Sequence, residues 1–142
     1  MNIFTHQPTG SIRLLSLGGG GNVTKNMYVY EYRKSPGEIS DILIVDCGVG
    51  FPDEAMFGID LVIPDITYLR DKKNKIRAIV LTHGHDDHIG ALAYILPEIR
   101  VPIYGSKLTA ALVQVKLKEF GLGKNVHSVS TQDVLRFGPF LV

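Results

Sequence analysis

The stretch IRAIVLTHGHDDHIG, Ile76 to Gly90, runs from an apolar segment into three histidines and two aspartates, and then turns apolar again. Ile76 to Leu81 is rich in β-branched and aliphatic residues and reads as a buried strand. It delivers Thr82 and His83 directly into the polar cluster. His83 and His85 are one residue apart, so an extended backbone can turn both imidazoles to the same side. Asp87 and His88 follow where the chain enters the next element, and can present a carboxylate and a third imidazole to a neighbouring point. Imidazole and carboxylate suit zinc, and also manganese or iron.

Three of the five histidines of the chain lie between His83 and His88, a density that packing of ordinary buried histidines does not explain. The spacing predicts two adjacent metal positions. Asp87 is the candidate catalytic carboxylate as well as a candidate ligand. Paired metals lower the pKa of a shared water and clamp a centre on which negative charge builds, so hydrolysis is the reaction class this arrangement suits. Asp86 reads as charge that complements a helix N-terminus. Asp46, at the end of the run ILIV, reads either as a support that accepts an imidazole or backbone N–H from the ligand loop, or as a plain turn residue.

Outward from the cluster, Ile89 to Ile99 is expected to be a helix limited by Pro97. Val101 to Tyr104 returns to strand. Ser106 is a candidate N-cap for a helix carrying Leu108, Ala111, Leu112 and Val115 on one face, with Gly121 as its stop. Asn125 to Val129 and Phe140 to Val142 read as further strands. On the other side, Ile12 to Leu17, Met27 to Tyr32 and Ile42 to Val45 read as an antiparallel meander, punctuated by Gly18 to Gly21 and by Ser35-Pro36-Gly37. The glycine run leads into a β-like segment and lacks the helix a phosphate loop needs, so it reads as a permissive turn. Cys47 to Asp71 is a long loop region carrying Asp53, Glu54, Asp60 and Asp65, a length more often functional than passive. Strands alternating with two helices predict an α/β (α+β layered) domain, over residues 11–142 after a flexible arm at 1–10 in which His6 reads as a surface residue.

The chain has 142 residues, 45% of them hydrophobic and 20% charged, which fits one folded globular unit. A net charge of +1 carries no electrostatic footprint of a nucleic-acid binder, so such a role has to come from the site itself. Arg70, Lys72, Lys73, Lys75 and Arg77 read as a solvated charged loop. Cys47 is the only cysteine, which excludes an internal disulfide and a thiolate zinc cluster; it reads as a buried apolar residue. There is no basic segment followed by an apolar stretch at the start and no membrane-length run, so the cytoplasm is the expected compartment and no membrane contact is expected.

His-x-His-x-Asp-His after a buried strand resembles the signature of the metallo-β-lactamase superfamily, and His83, His85, Asp87 and His88 match it. LGGGGNVTKNMYVYEY, DILIVDCGVGFPDEAMFGIDLVIPDITYL, KIRAIVLTHGHDDHIGALAYILP and VPIYGSKLTAALVQVKLKE are similar to one branch, the ribonuclease J family. The resemblance implies an αββα sandwich of which this chain is the N-terminal part, with the later regions of the family absent. It implies that His83 and His85 bind a first zinc, that Asp87 and His88 bind a second, and that Asp46 supports them. Manganese is the alternative metal. It implies RNA as substrate, cleaved as an endonuclease and as a 5′ to 3′ exonuclease. A second copy or another chain is the partner that would complete the fold.

Two departures stand out. The family has Gly-Glu-Ile-Gly-Lys-Asn where this chain has Gly21-Asn22-Val23-Thr24-Lys25-Asn26. Further ligands of the family lie beyond the residues present, and His127, which precedes the Gly138-Pro139-Phe140 segment, reads as a surface or strand histidine. With so few ligands the chain is expected to be inactive alone. Hydrolysis of a small ester, thioester or lactam, or a non-catalytic metal-binding role in assembly, are the alternative functions.

Overall fold

The computed structural model describes residues 10–21 and 23–142. Residues 1–9 of the expected N-terminal arm, with His6, and Asn22 of the glycine turn lie outside the described residues.

Six strands form one mixed sheet in sequential order: β1 (Ser11–Gly18), β2 (Met27–Ser35), β3 (Glu38–Val45), β4 (Ile76–Val80), β5 (Ile103–Ser106) and β6 (Val126–Val129). The first three are the antiparallel meander the sequence predicts, with Leu14 opposite Tyr30 and Tyr30 opposite Leu43. Pro36 and Gly37 make the tight β2–β3 turn, where Gly37 sits at φ 86°, a conformation only glycine takes without strain. β4, β5 and β6 are each parallel to the strand before them, which requires crossovers. These carry α1 (Thr67–Arg70), then α2 (Asp86–Ile89) and α3 (Leu92–Ile95), then α4 (Lys107–Lys118).

Alternation along the strands sends successive side chains to opposite faces. Met27 and Val29 of β2 join Leu69, Ile89, Leu92, Ile95, Val113 and Leu117 in the main core, so the helices cover that face. Tyr30 and Tyr32 turn to the other face, where the hairpin of β7 (Arg136–Phe137) and β8 (Phe140–Leu141) packs Phe137 and Phe140 onto Leu43 and Ala78. On β1, Ile12 and Leu14 pair with Tyr32 and Tyr30 and remain exposed at 63% and 56%. The layered α/β class is as expected.

Three local readings are corrected. The helix expected over Ile89 to Ile99 is confined to Leu92–Ile95 and is parted at Gly90 and Ala91 from α2, which begins earlier, at Asp86. The carbonyls of Asp87 and His88 accept from the N–H groups of Asn26 and Cys47, and the N–H of Ala91 turns to the carbonyl of Cys47. A continuous helix needs those same groups for itself. In α4, Ser106 is the N-cap, its Oγ accepting from the N–H of Thr109 at 3.3 Å, but the buried face is Thr109, Ala110, Val113 and Leu117. Leu108, Ala111, Leu112 and Val115 face outward. Finally, the long loop is closed by a two-bond bridge between Gly50 and Val62 and contains α1.

Candidate metal centre

The parallel pair β3–β4 ends side by side, and Asp46 and the loop of His83 to His88 follow those C-terminal ends, the usual position for sites in such sheets. The N–H of Asp46 donates to the carbonyl of Val80, which extends the ladder by one residue. Asp46 then turns the chain at φ 63°, in the left-handed region where a non-glycine residue is strained. Its side chain is held from several sides. Oδ1 accepts from the N–H of Thr82 at 2.8 Å, the Thr82 hydroxyl lies 2.8 Å from Oδ2, and Nδ1 of His88 lies 2.8 Å from Oδ2. The residue is 2% exposed.

These bonds decide which ring nitrogens are free. His88 donates Nδ1–H to Asp46, so Nε2 carries its lone pair. The Thr82 hydroxyl donates to Asp46 and its oxygen lies 3.0 Å from Nδ1 of His83, so His83 likewise presents Nε2 as an acceptor. Nε2 of His83 then faces Nδ1 of His85 at 3.2 Å. Nε2 of His88 faces Oδ2 of Asp87 at 3.3 Å. An ion about 2.0–2.1 Å from each of two donors at a tetrahedral angle needs those donors about 3.3 Å apart. Both pairs meet that requirement, and their nitrogen and carboxylate donors suit zinc. The rings of His83 and His88 are 4.0 Å apart between centroids, so the pairs are neighbours. Among the described residues, no three His, Cys, Asp or Glu side chains converge on one point; the donors come two and two.

The loop is braced by backbone as well. Gly48 passes so close to it that a Cβ there would stand 1.6 Å from the carbonyl oxygen of Asp87. Cys47 is fully buried beside this contact, and burial together with the Asp46 charge pushes its thiol far above the usual range, which leaves it unreactive. Asp86 stands in the first turn of α2 as expected and also meets Nζ of Lys116 at 2.6 Å, tying α4 to the loop.

Two residues without a role in the sequence reading touch the centre. Thr82 links Asp46 to His83. Asn26, at the entry to β2, places Nδ2 3.2 Å from Oδ2 of Asp87 and 3.3 Å from Nε2 of His88. Its position in the glycine-turn motif was the available signal, but only the fold brings it across 61 positions of sequence to Asp87. His127 lies on β6, exposed and stacked on Tyr104 at 4.9 Å, on the hairpin side of the sheet. The basic segment is not simply solvated: Arg70 pairs with Glu98, Lys72 caps the carbonyl of Tyr68, Lys75 that of Ile39, and Arg77 pairs with Asp41.

The sequence pattern of the metallo-beta-lactamase superfamily matches residues 20–136. The chain belongs to that superfamily. The chain is 43% identical over 131 residues to ribonuclease J2 of Bacillus subtilis (strain 168). It is 41% identical over 128 residues to ribonuclease J 2 of Staphylococcus aureus (strain NCTC 8325 / PS 47). The matches cover 91% and 89% of this chain, which spans 22% of the length of each relative. It is thus a homologue of ribonuclease J2 over a part of that protein. Among solved structures, the Rm3 metallo-beta-lactamase superposes with a TM-score of 0.51 at 16% identity, covering 83% of this chain and 47% of that one. That likeness is one of fold. No helix among the described residues is long and apolar enough to cross a membrane.

Proposed function

We propose that this chain carries the metal-binding half-site of a zinc-dependent RNA hydrolase of ribonuclease J type, acting as an endonuclease and 5′ to 3′ exonuclease in the cytoplasm. The observation that carries the reading is the pairing of donors at tetrahedral spacing, His83 with His85 and Asp87 with His88, in a chain 43% identical to ribonuclease J2. In this reading His83 and His85 hold one ion, and Asp87 and His88 hold a second, with manganese able to replace zinc. Bound there, the metals would bring the pKa of water toward neutrality and offset charge building on a phosphodiester.

The protein's own residues do the rest. Asp46 fixes His88 and, through Thr82, His83, so that both imidazoles present Nε2 without a reorganisation at the moment of binding. Asp87, whose carboxylate contacts the second ion in this reading, is the catalytic carboxylate. Each pair leaves positions for water, for RNA and for additional protein donors. RNA as the substrate rests on the named relatives.

Zinc content per chain, measured by plasma mass spectrometry on the wild type and on His83→Ala/His85→Ala, tests the proposal. Zinc that is present in the wild type and falls in the double variant supports it, and cleavage of a 5′-monophosphorylated RNA is then the assay for activity. Negligible zinc in both proteins would remove the metal centre from this chain.

A further inference from the structure

We propose that Asn26 is a positioning residue for the Asp87–His88 pair, with Tyr28 and Gly19 fixing which end of its carboxamide faces that pair. The inference rests on the reading of this pair as a metal position. Asn26 is 8% exposed. Lys25, at φ 59°, turns the chain so that Asn26 enters the interior. Its backbone N–H donates to the carbonyl of Asp87 at 2.9 Å, and its own carbonyl accepts from Gly48 at 2.9 Å. One residue therefore clasps the ligand loop and the Gly48 crossing that supports it.

The side chain adds to this clasp. Nδ2 lies 3.1 Å from the Asp87 carbonyl, 3.2 Å from its Oδ2, 3.3 Å from Nε2 of His88 and 3.3 Å from the Val23 carbonyl. All four neighbours are acceptors, so the N–H end must face them. A half-turn of the amide would set its oxygen against the oxygens of Asp87. The opposite end is held where it belongs: the Tyr28 hydroxyl donates to Oδ1 at 3.4 Å. Gly19 packs against the same spot, since a Cβ there would stand 2.4 Å from Oδ1 and 2.5 Å from the Tyr28 oxygen. The glycine run thus has a use that its composition did not disclose. It is a close wall behind an amide that aims at Asp87.

Among the described residues no hydrogen bond joins Asn26 to His83 or His85; His83 is braced through Thr82 instead, and His85 faces His83. Loss of Asn26 should therefore act on the second ion and spare the first. Partners that orient metal ligands typically contribute about 10–100-fold to metal affinity. Cobalt(II), whose visible absorption reports its ligands, can be titrated into the purified chain to read the two steps separately. Asn26→Ala is expected to weaken the second step about 10–100-fold and to change its spectrum, with the first step within about twofold. Tyr28→Phe is expected to weaken the second step in the same direction by less.

A second step unchanged in Asn26→Ala overturns the inference, and so does one tightened in Asn26→Asp, which would make this side chain a ligand. If circular dichroism shows Asn26→Ala unfolded, Tyr28→Phe decides the matter on its own: a weakened second step supports the inference and an unchanged one overturns it. Two steps in the wild type that persist in the variants overturn the role of Asn26 alone. A wild type that binds no cobalt overturns the metal reading, and this inference falls with it.

Discussion

Oδ2 of Asp46 lies 2.8 Å from Nδ1 of His88, and the same carboxylate holds the backbone N–H and hydroxyl of Thr82. One strand-end residue thereby orients both ends of the histidine cluster. Asp46→Asn keeps the shape and tolerates the left-handed backbone, but its amide can no longer accept from both partners with full charge. Zinc affinity is expected to fall about 10–100-fold, measured by competition with a chromophoric chelator. Unaltered affinity would mean that the carboxylate does not prepare the histidines.

Gly48 is required by space alone, since the Cβ of an alanine would stand 1.6 Å from the Asp87 carbonyl oxygen, a backbone atom that cannot swing aside. Gly48→Ala should cost about 3 kcal/mol, the upper end for overpacking, and should displace the ligand loop. Urea denaturation read by circular dichroism checks the first expectation and zinc content the second. A variant as stable as the wild type would show that the crossing is looser than described.

Tyr68 donates its hydroxyl to the fully buried Glu31 at 2.5 Å. Burial pushes the phenol above its usual range, and the hydrogen bond and charge of Glu31 push it further in the same direction. A folded-state pKa raised above the unfolded one stabilises the fold fully below the unfolded value, about 10, and this contribution is lost as pH rises through the folded value. Tyr68→Phe leaves a buried carboxylate oxygen without this donor and should cost about 1–3 kcal/mol at neutral pH. The difference from the wild type should shrink only above about pH 10. Stability curves at pH 7 and above pH 10 decide it, and a gap already closed at neutral pH would count against the pairing.

Leu117 and Leu108 sit on opposite faces of α4, one fully buried and the other 71% exposed. Leu117→Ala should cost about 2–5 kcal/mol. Leu108→Ala should stay within about 0.5 kcal/mol of the wild type. Thermal or urea unfolding of the pair compares like with like, and equal losses would show that the face named from the sequence is packed after all.

The four candidate ligands could be read without a structure because they lie within six positions on one loop, after a strand that any β-rich apolar run announces. The meander was legible for a similar reason: its turn residues, Pro36 and Gly37, act locally. The face of α4 was not. Leu108, Ala111, Leu112 and Val115 make as good an apolar stripe as Ala110, Val113 and Leu117, and periodicity cannot choose between two stripes when both are apolar. The break at Gly90 was hidden as well, because it depends on N–H groups of Asn26 and Cys47 that arrive from other parts of the chain.

What the sequence by itself determined is the chemistry available: imidazole and carboxylate donors at a spacing that suits paired metals, delivered by a strand into a turn. Only the tertiary structure decided which nitrogens face inward and what holds them there. Asp46 reaches His88 across 42 positions and Asn26 reaches Asp87 across 61. Hydrogen bonds are short-ranged and directional, so partners so distant along the chain acquire their roles only once the sheet and its crossovers have brought them within about 3 Å of one another.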